Sequence, residues 1–206
     1  MYGFSQALLE DYSARLDAQG REYAQRIVSA SDRMDSLIQD LLVYSRLTLT
    51  EITTERVSVK DVLSEIVSQI EPMIRESAAT ISIAEEMPIV LGNRPTVAQV
   101  LTNLITNAIK FTARGTAPVV RIWSEEQGSA ARIWVEDNSI GIPEEYHEQI
   151  FRVFERLHGT EEYPGTGIGL AIVRKGVSRM NGRVGLESTP GVGSRFWIEL
   201  QREERR

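Results

Sequence analysis

The sequence has 206 residues, 42% of them hydrophobic, and can therefore bury the core of one large domain or two modest ones. A formal net charge of −6 provides no overall basic field, which argues against nucleic acid or an anionic membrane surface as the main partner. The chain has no cysteine, which excludes disulfides and thiolate catalysis and fits a cytoplasmic location. It has no apolar run of ~20 residues, which excludes a membrane-spanning helix.

The N-terminal residues predict two helices joined by a short connection, with Asp17 placed to cap the second helix. Along that helix, apolar or small residues recur at spacings of four and three: Tyr23, Ile27, Ala30, Met34, Leu37, Leu41 and Tyr44. A two-helix hairpin cannot bury its apolar stripes alone, so we expect residues 1–47 to form a homodimeric four-helix bundle. The alternative is that this seam packs on the rest of the chain.

A linker and a second domain follow the hairpin. Residues 48–55 are rich in threonine and charge and interrupt the heptad pattern, and residues 56–206 form the second predicted domain. Its patterns predict helices over 60–76, 95–112 and 168–180, and strands near 56–59, 80–84, 89–91, 118–126, 130–137, 183–188 and 194–200. This order is typical of an α+β sandwich with one mixed sheet under a helical layer.

Residues 99–112, QVLTNLITNAIKFT, predict an amphipathic helix with a polar face. Asn103, Asn107 and Lys110 follow one another at spacings of four and three, which places two amides and an ammonium group on one side. Such a face is able to ligate a hydrated magnesium ion and to contact phosphate oxygens. The alternative is an ordinary solvated polar face.

The segment VEDNSIGIP, residues 135–143, ends a predicted strand in Asp137 and then turns at Gly141. A carboxylate there can accept a hydrogen bond from an exocyclic amine such as that of adenine, and glycine lets the backbone approach the ring. The alternative is a plain Asp-Asn turn. Further on, the helical spacing of Phe151 and Phe154 predicts core positions for both.

A glycine-rich segment, PGTGIGLAIV at residues 164–173, opens the last predicted helix. Gly165, Gly167 and Gly169 leave backbone N–H groups accessible at the helix start, which favours an anion site. The segment is not a Walker loop, because no Lys-Ser/Thr pair follows the last glycine.

In their order, the segments NLITNAIKFT, DNSIGIP, FRVFERLHG, GTGIGLAI and TPGVGSRFWIEL resemble the N, G1, F, G2 and G3 boxes of the sensor histidine kinases of two-component systems. The ATP-binding domain of that family belongs to the GHKL (Bergerat) group shared with gyrase and the Hsp90 chaperones. This resemblance covers residues 56–200. The segments GFSQALLEDY and MDSLIQDLLVYSRL resemble the dimerisation and phosphoacceptor hairpin of phytochrome-like and PAS-coupled kinases.

The resemblance implies a role for each matching residue. It implies that Asn107 binds Mg2+, that Lys110 and Asn103 contact phosphate, and that Asp137 accepts the adenine amine. It also implies a lid at about 155–167 that closes over the triphosphate. The other ATP-binding positions that it implies are Gly141, Ile142, Phe154, Gly165, Thr166, Gly167, Gly169 and Leu170.

Two features depart from the family pattern. Ser139 stands where the Asp-x-Gly-x-Gly pattern has its middle glycine, and it strains the turn if that position needs φ > 0. Neither His147, expected in a surface helix, nor His158, expected in the lid, matches the acceptor box, which in the family precedes a GFSQLL-like stretch. We therefore expect the acceptor histidine to lie outside this chain and the chain not to phosphorylate itself.

The resemblance implies a kinase that transfers the γ-phosphoryl of ATP to a histidine and then to an aspartate of a response-regulator receiver domain. Two other functions stay open: a nucleotide-binding dimerisation module without kinase activity, and an ATPase of the gyrase or chaperone type. Against the ATPase, Asn103 occupies the position where the hydrolytic relatives carry a glutamate that activates water.

Overall fold

The computed structural model describes residues 2–49, 51–157, 163 and 165–203. Its contacts divide the chain into two compact units, residues 1–43 and 44–206. None of the helices in the described ranges combines the length and apolarity that a membrane span requires. In chain order the helices and strands are α1 Tyr2–Tyr12, α2 Ala18–Leu49, β1 Glu55–Ser58, α3 Val59–Gln69, α4 Glu71–Ser77, β2 Thr80–Ile83, β3 Ile89–Gly92, α5 Arg94–Lys110, β4 Val119–Gln127, β5 Ala130–Asp137, α6 Gly169–Arg179, β6 Arg183–Thr189 and β7 Gly193–Gln201.

The N-terminal unit consists of α1, a short 3₁₀ turn over Ser13–Arg15, and most of α2. Asp17 Oδ1 accepts the Gly20 backbone N–H at 2.7 Å, which confirms the predicted cap at the start of α2. The apolar seam of α2 is largely open to solvent: Tyr23, Ile27, Met34 and Leu41 are each about half exposed.

The predicted helix over 60–76 is wrong in one respect, because the segment forms two helices, α3 and α4, that meet at Ile70. Pro72 lies in the first turn of α4. Proline lacks a backbone N–H and is favoured at a helix start, so it marks the beginning of a new helix. Helix α2 continues to Leu49, two residues into the predicted linker.

A five-stranded mixed sheet forms the scaffold of the second unit, with strand order β2-β4-β5-β7-β6. Strands β2 and β4 are parallel, and the other pairs are antiparallel. Strands β1 and β3 pair separately as a two-stranded antiparallel sheet. The predicted α+β class with a mixed sheet under helices is thereby confirmed.

The inner face of this sheet and helices α3, α5 and α6 enclose one apolar core. Ile133 and Val135 of β5 point inward, as expected for alternating strand positions. Helix α5 begins where Asn93 Oδ1 accepts the Thr96 backbone N–H at 3.2 Å. One side of α5 is buried over its whole length, which leaves the other side to carry polar groups.

The outer face of the sheet carries all three tryptophans of the chain in one cross-strand row: Trp123, Trp134 and Trp197. Trp123 and Trp134 stack with ring centroids 5.8 Å apart, and Trp134 meets Trp197 edge-on at 6.4 Å. The Arg132 guanidinium lies 4.2 Å from the Trp197 ring centroid. This row buries Trp134 between its two neighbours on the outer face of the sheet.

Candidate active site

Helix α5 presents the polar face that the sequence predicts. Asn103, Asn107 and Lys110 are half-buried on the side away from the core. Lys110 Nζ lies 3.4 Å from Asn107 Oδ1, and Asn103 Nδ2 donates to the Gln99 carbonyl at 2.9 Å. The two amides and the ammonium group thus lie along one edge of the helix.

This edge faces the glycine-rich segment at the start of α6. A β-carbon on Gly165 would lie 2.8 Å from Lys110 Nζ, and one on Gly169 would lie 2.8 Å from Asn103 Oδ1. The polar tips reach the glycine backbone only because no side chain stands between them. The structure therefore brings together two groups of predicted residues that are some 60 positions apart in the sequence.

Arg156, which the sequence analysis did not single out, fastens the backbone that precedes α6. Its Nη1 donates to the Gly165 carbonyl at 2.6 Å, and its Nη2 donates to the Tyr163 carbonyl at 2.9 Å. The Tyr163 side chain is buried, with its ring centroid 5.3 Å from that of Phe111 at the end of α5. No local pattern marks this arginine, because both of its partners are backbone carbonyls, seven and nine residues away.

Gly167 and its neighbours shape the start of α6. Gly167 has φ of +75°, and its carbonyl accepts the Phe154 backbone N–H at 2.9 Å. Thr166 Oγ1 accepts the Ile168 N–H at 3.3 Å, and Leu170 is half-buried against the core. His158 and part of the predicted lid over 155–167 lie outside the described residues.

Asp137 closes β5 at the other end of the candidate site and is buried. Its Oδ1 accepts two backbone N–H groups, from Ser139 at 3.0 Å and from Ser194 at 3.0 Å. Burial raises the pKa of the Asp137 carboxyl above its usual range, and the hydrogen bonds from Ser139 and Ser194 oppose that rise. A surface pocket lined by Asp137 and by residues of β6 and β7 opens at this point. The carboxylate is thus held in a fixed orientation, suited to accept a hydrogen bond from a neutral donor.

Ser139, the departure from the family pattern, sits in the turn without strain. Among the residues that the structure describes, it is not one of those with positive φ, so the strain expected for a φ > 0 position does not arise. The side chain is buried, with Oγ 3.3 Å from Ser194 Oγ and 3.3 Å from the Gly141 nitrogen. Serine therefore fits this position and adds a hydroxyl to the site.

Gly141 forms a turn that requires glycine. Its φ is +72°, and a β-carbon there would lie 2.1 Å from the Thr189 carbonyl oxygen. Just before it, the Ile140 N–H donates to the Phe111 carbonyl at 3.0 Å. Because Phe111 directly follows Lys110, this bond joins the turn after Asp137 to the end of α5.

His147 differs from its prediction as a surface-helix residue. It is half-buried and follows a 3₁₀ turn over Glu144–Tyr146, with Nε2 3.0 Å from the Ile142 carbonyl oxygen. A carbonyl only accepts, so Nε2 carries the proton. The imidazole therefore holds Ile142, a predicted ATP-binding residue, in place.

Phe154 also differs from its prediction as a core residue. Phe151 is buried, whereas Phe154 is 62% exposed and has φ of +68°. Residues 149–151 form only a short 3₁₀ turn, so a spacing of three does not place both rings on one helical face. The Phe154 ring remains an ATP-site prediction, presented to solvent beside the glycine-rich segment.

A magnesium ion would find one protein ligand of the predicted type on α5. Within the described ranges, no three histidine, aspartate or glutamate side chains converge as a metal site. Mg2+ prefers oxygen ligands and is commonly held by few protein groups together with substrate phosphates. The Asn107 amide oxygen fits such a site, where phosphate and water would supply the other ligands.

Comparisons with known proteins match both parts of the chain. The family described as histidine kinase-, DNA gyrase B-, and HSP90-like ATPase matches residues 92–204, and the His Kinase A (phospho-acceptor) domain matches residues 1–50. Phytochrome-like protein Cph1 of Synechocystis sp. is 36% identical over 96% of this chain and 26% of its own length. Cyanobacterial phytochrome B of Nostoc sp. is 34% identical over 98% of this chain and 27% of its own length. The chain therefore spans about a quarter of these relatives.

Solved structures resemble the fold as well. The structure of full-length ShkA in complex with AMPPNP superposes with a TM-score of 0.74 at 26% identity, over 99% of this chain and 42% of that one. The catalytic domain of histidine kinase ThkA, in a nucleotide-free form, superposes with a TM-score of 0.61 at 28% identity, over 72% of this chain and 95% of that one.

Proposed function

Because this chain belongs to the family of histidine kinase-, DNA gyrase B- and HSP90-like ATPases, and within it to the sensor histidine kinases, we propose that it binds ATP with Mg2+ and acts as a protein-histidine kinase core. The γ-phosphoryl group passes to a histidine of a phosphoacceptor hairpin and then to an aspartate of a response-regulator receiver domain. Since ATP is the donor and the chain has no cysteine, we assign the reaction to the cytoplasm.

The observation that carries this proposal is the contact between α5 and the glycine-rich segment. A β-carbon added to Gly165 would lie 2.8 Å from Lys110 Nζ, and a β-carbon added to Gly169 would lie 2.8 Å from Asn103 Oδ1. A triphosphate at this edge would meet the backbone N–H groups at the start of α6 and the Lys110 ammonium. Asp137 directly precedes the turn in which the Ile140 N–H bonds to the Phe111 carbonyl, and it would accept the adenine amine there.

The proposed residues act mainly by holding groups in place, because phosphoryl transfer passes through a loose transition state. Bound Mg2+ would neutralise charge on the phosphate oxygens. Lys110 would direct its ammonium at the same oxygens, and Asn107 would orient them through the metal. Arg156 would keep the Gly165 carbonyl and its neighbours beside α5, as it does in the structure.

An ATPase of the gyrase or chaperone type is the second candidate. Asn103 argues against it, because an amide cannot take a proton from an attacking water. The match of residues 1–50 to a phospho-acceptor domain also favours the kinase. Steady-state hydrolysis of ATP would separate the two functions, since the kinase core should release phosphate slowly in the absence of an acceptor.

Titration calorimetry with and without Mg2+ tests the site. We expect ATP to bind with a dissociation constant between micromolar and millimolar, or ~4–8 kcal/mol, and more tightly with Mg2+. Mg2+ should raise the affinity for ATP about threefold to tenfold, and Asn107→Ala should remove this increase because it deletes the proposed metal ligand. Asn103→Ala should weaken binding equally with and without the metal. Unchanged ATP affinity in both variants would contradict this site.

The open seam of α2 supports a homodimer through residues 1–47. We expect light scattering to find a dimer, and Met34→Lys to raise its dissociation constant about tenfold, because a long charged side chain must leave the apolar seam to reach water. Asp32→Lys, on the exposed opposite side of the helix, is the control. A monomer at high concentration of the unaltered protein would rule out this interface.

A further inference from the structure

Beside Asp137, hydroxyls from three separate segments form one hydrogen-bonded chain. Ser139 Oγ lies 3.3 Å from Ser194 Oγ, which lies 2.9 Å from Ser188 Oγ. Ser139 and Ser194 are buried, and Ser188 is half-buried. Ser188 and Ser194 also line the surface pocket that Asp137 enters.

The direction of the hydrogen bonds follows from counting protons, since each hydroxyl has one proton to donate. Ser188 donates to the Gly193 carbonyl at 2.9 Å and accepts the Ile142 N–H at 2.8 Å. Because its proton is already in use, its contact with Ser194 requires Ser194 to be the donor. The Ser194 oxygen is then left with lone pairs alone.

Ser139 extends the same pattern to the carboxylate. Its oxygen accepts the Gly141 N–H at 3.3 Å, and its own proton has two acceptors within the cluster, Ser194 Oγ and the Asp137 carboxylate. Every hydroxyl proton therefore has an acceptor within the protein, which for Ser188 is the Gly193 carbonyl. Of the cluster residues that line the pocket, Ser188 and Ser194 have no proton left for a ligand, and the Asp137 carboxylate and the Ser194 oxygen act as acceptors.

We propose that Ser139 is a specificity-determining residue. Together with Ser194 and Ser188 it keeps the groups around Asp137 as hydrogen-bond acceptors. These acceptors select a base that has an exocyclic amine beside Asp137 over a base that has a carbonyl in the same position. The inference rests on the proposed function, because it requires Asp137 to contact a nucleobase. An amine donates to these oxygens, whereas a carbonyl brings its lone pairs against theirs and is buried unpaired.

The hydroxyl of Ser139 matters because a water molecule would not replace it equally. With glycine at this position, the space left by the side chain admits water, which can turn a proton towards a carbonyl. Removing the Ser188 hydroxyl has a related effect, because the Ser194 proton loses its acceptor and becomes able to point into the pocket. Both changes should reduce discrimination without removing Asp137.

The test compares ATP with inosine triphosphate, which carries a carbonyl in place of the 6-amino group and, with it, a proton on N1. Calorimetry should show that Ser139→Gly and Ser188→Ala each reduce the preference for ATP about threefold to tenfold. Glycine is the residue that the family pattern has at position 139, so the fold should tolerate it, and circular dichroism checks this. Ser64→Ala removes a matched hydroxyl on α3, where it donates to the Lys60 carbonyl at 3.0 Å, and should leave the preference unchanged.

The ratio of the two affinities separates specificity from a purely structural role, which would weaken both nucleotides alike. A preference for ATP that is the same in the unaltered protein and in both variants would overturn the role of the serines while leaving the ATP site intact. Failure of the unaltered protein to bind ATP at all would instead overturn the proposed function, and this inference with it.

Discussion

Replacing Asp137 by asparagine should weaken ATP binding by about 10- to 100-fold, because a hydrogen bond to a charged group contributes ~1.5–3 kcal/mol. Asparagine keeps an oxygen that can accept the N–H groups of Ser139 and Ser194, so the turn is preserved. Its amide nitrogen is a donor, however, and would meet the adenine amine with like polarity. Calorimetry measures the loss. The control is Glu71→Gln, which removes the same charge from α4, where the carboxylate pairs with Arg75.

The same substitution should stabilise the ligand-free protein at neutral pH. The pKa of Asp137 is raised by burial above its ordinary value of 3.8, so protonation of this carboxyl favours the folded state. The contribution of Asp137 to the stability of the folded state is therefore fully present below pH 3.8, and it is lost as the pH rises through the raised pKa. Asp137→Asn should show a higher denaturation midpoint than the unaltered protein at neutral pH and no such advantage below pH 3.8. A lower midpoint at neutral pH would contradict this reasoning.

Incubated with γ-labelled ATP, this chain should stay unlabelled and yet should label an added phosphoacceptor hairpin that carries a histidine. The chain has no histidine before His147, and the His147 Nε2 proton is donated to the Ile142 carbonyl at 3.0 Å. A loose transition state requires little of the acceptor beyond its placement. A second chain can therefore supply the nucleophile, at a cost set by the entropy of docking.

Lys110→Met should lower this transfer on the order of 100- to 1000-fold, the effect typical of losing one group that stabilises charge in the transition state. Lys60→Met is the matched control, because Lys60 lies on α3 and donates to the Glu85 carbonyl. Acid-labile label on the chain alone, at His147 or His158, would contradict the expectation. A hairpin that remains unlabelled would favour the nucleotide-binding dimerisation module.

Local patterns predicted those parts of the site that lie along single elements. The spacing of Asn103, Asn107 and Lys110 follows from helical geometry, and the glycines before α6 follow from the need for close approach. Asp137 ends a strand pattern, which leaves a plain Asp-Asn turn open, and the resemblance to the G1 box implies its role. In each case the signal is carried by residues within one helix, one strand or one short loop.

The remaining parts depend on contacts between distant segments. The hydroxyls of Ser139 and Ser194 are 55 residues apart in the sequence and meet only because β5 and β7 pair in a register that joins Asp137 to Ser194. Arg156 acts on backbone carbonyls, which leave no trace in side-chain patterns. The spacing of Phe151 and Phe154 predicts two core residues only for a helix, and the chain makes only a single 3₁₀ turn there.

The tryptophan row gives this chain a spectroscopic asymmetry. All three indoles belong to residues 44–206, and the first 43 residues contain none. Tryptophan fluorescence, excited where tyrosine does not absorb, therefore reports the melting of the sheet alone, whereas far-ultraviolet circular dichroism records α1 and α2 as well. The stacked pair of Trp123 and Trp134 should also produce a coupled aromatic signal in circular dichroism. Recorded together during heating, the two signals would reveal whether the helical hairpin and the nucleotide domain unfold as one cooperative unit or in separate steps.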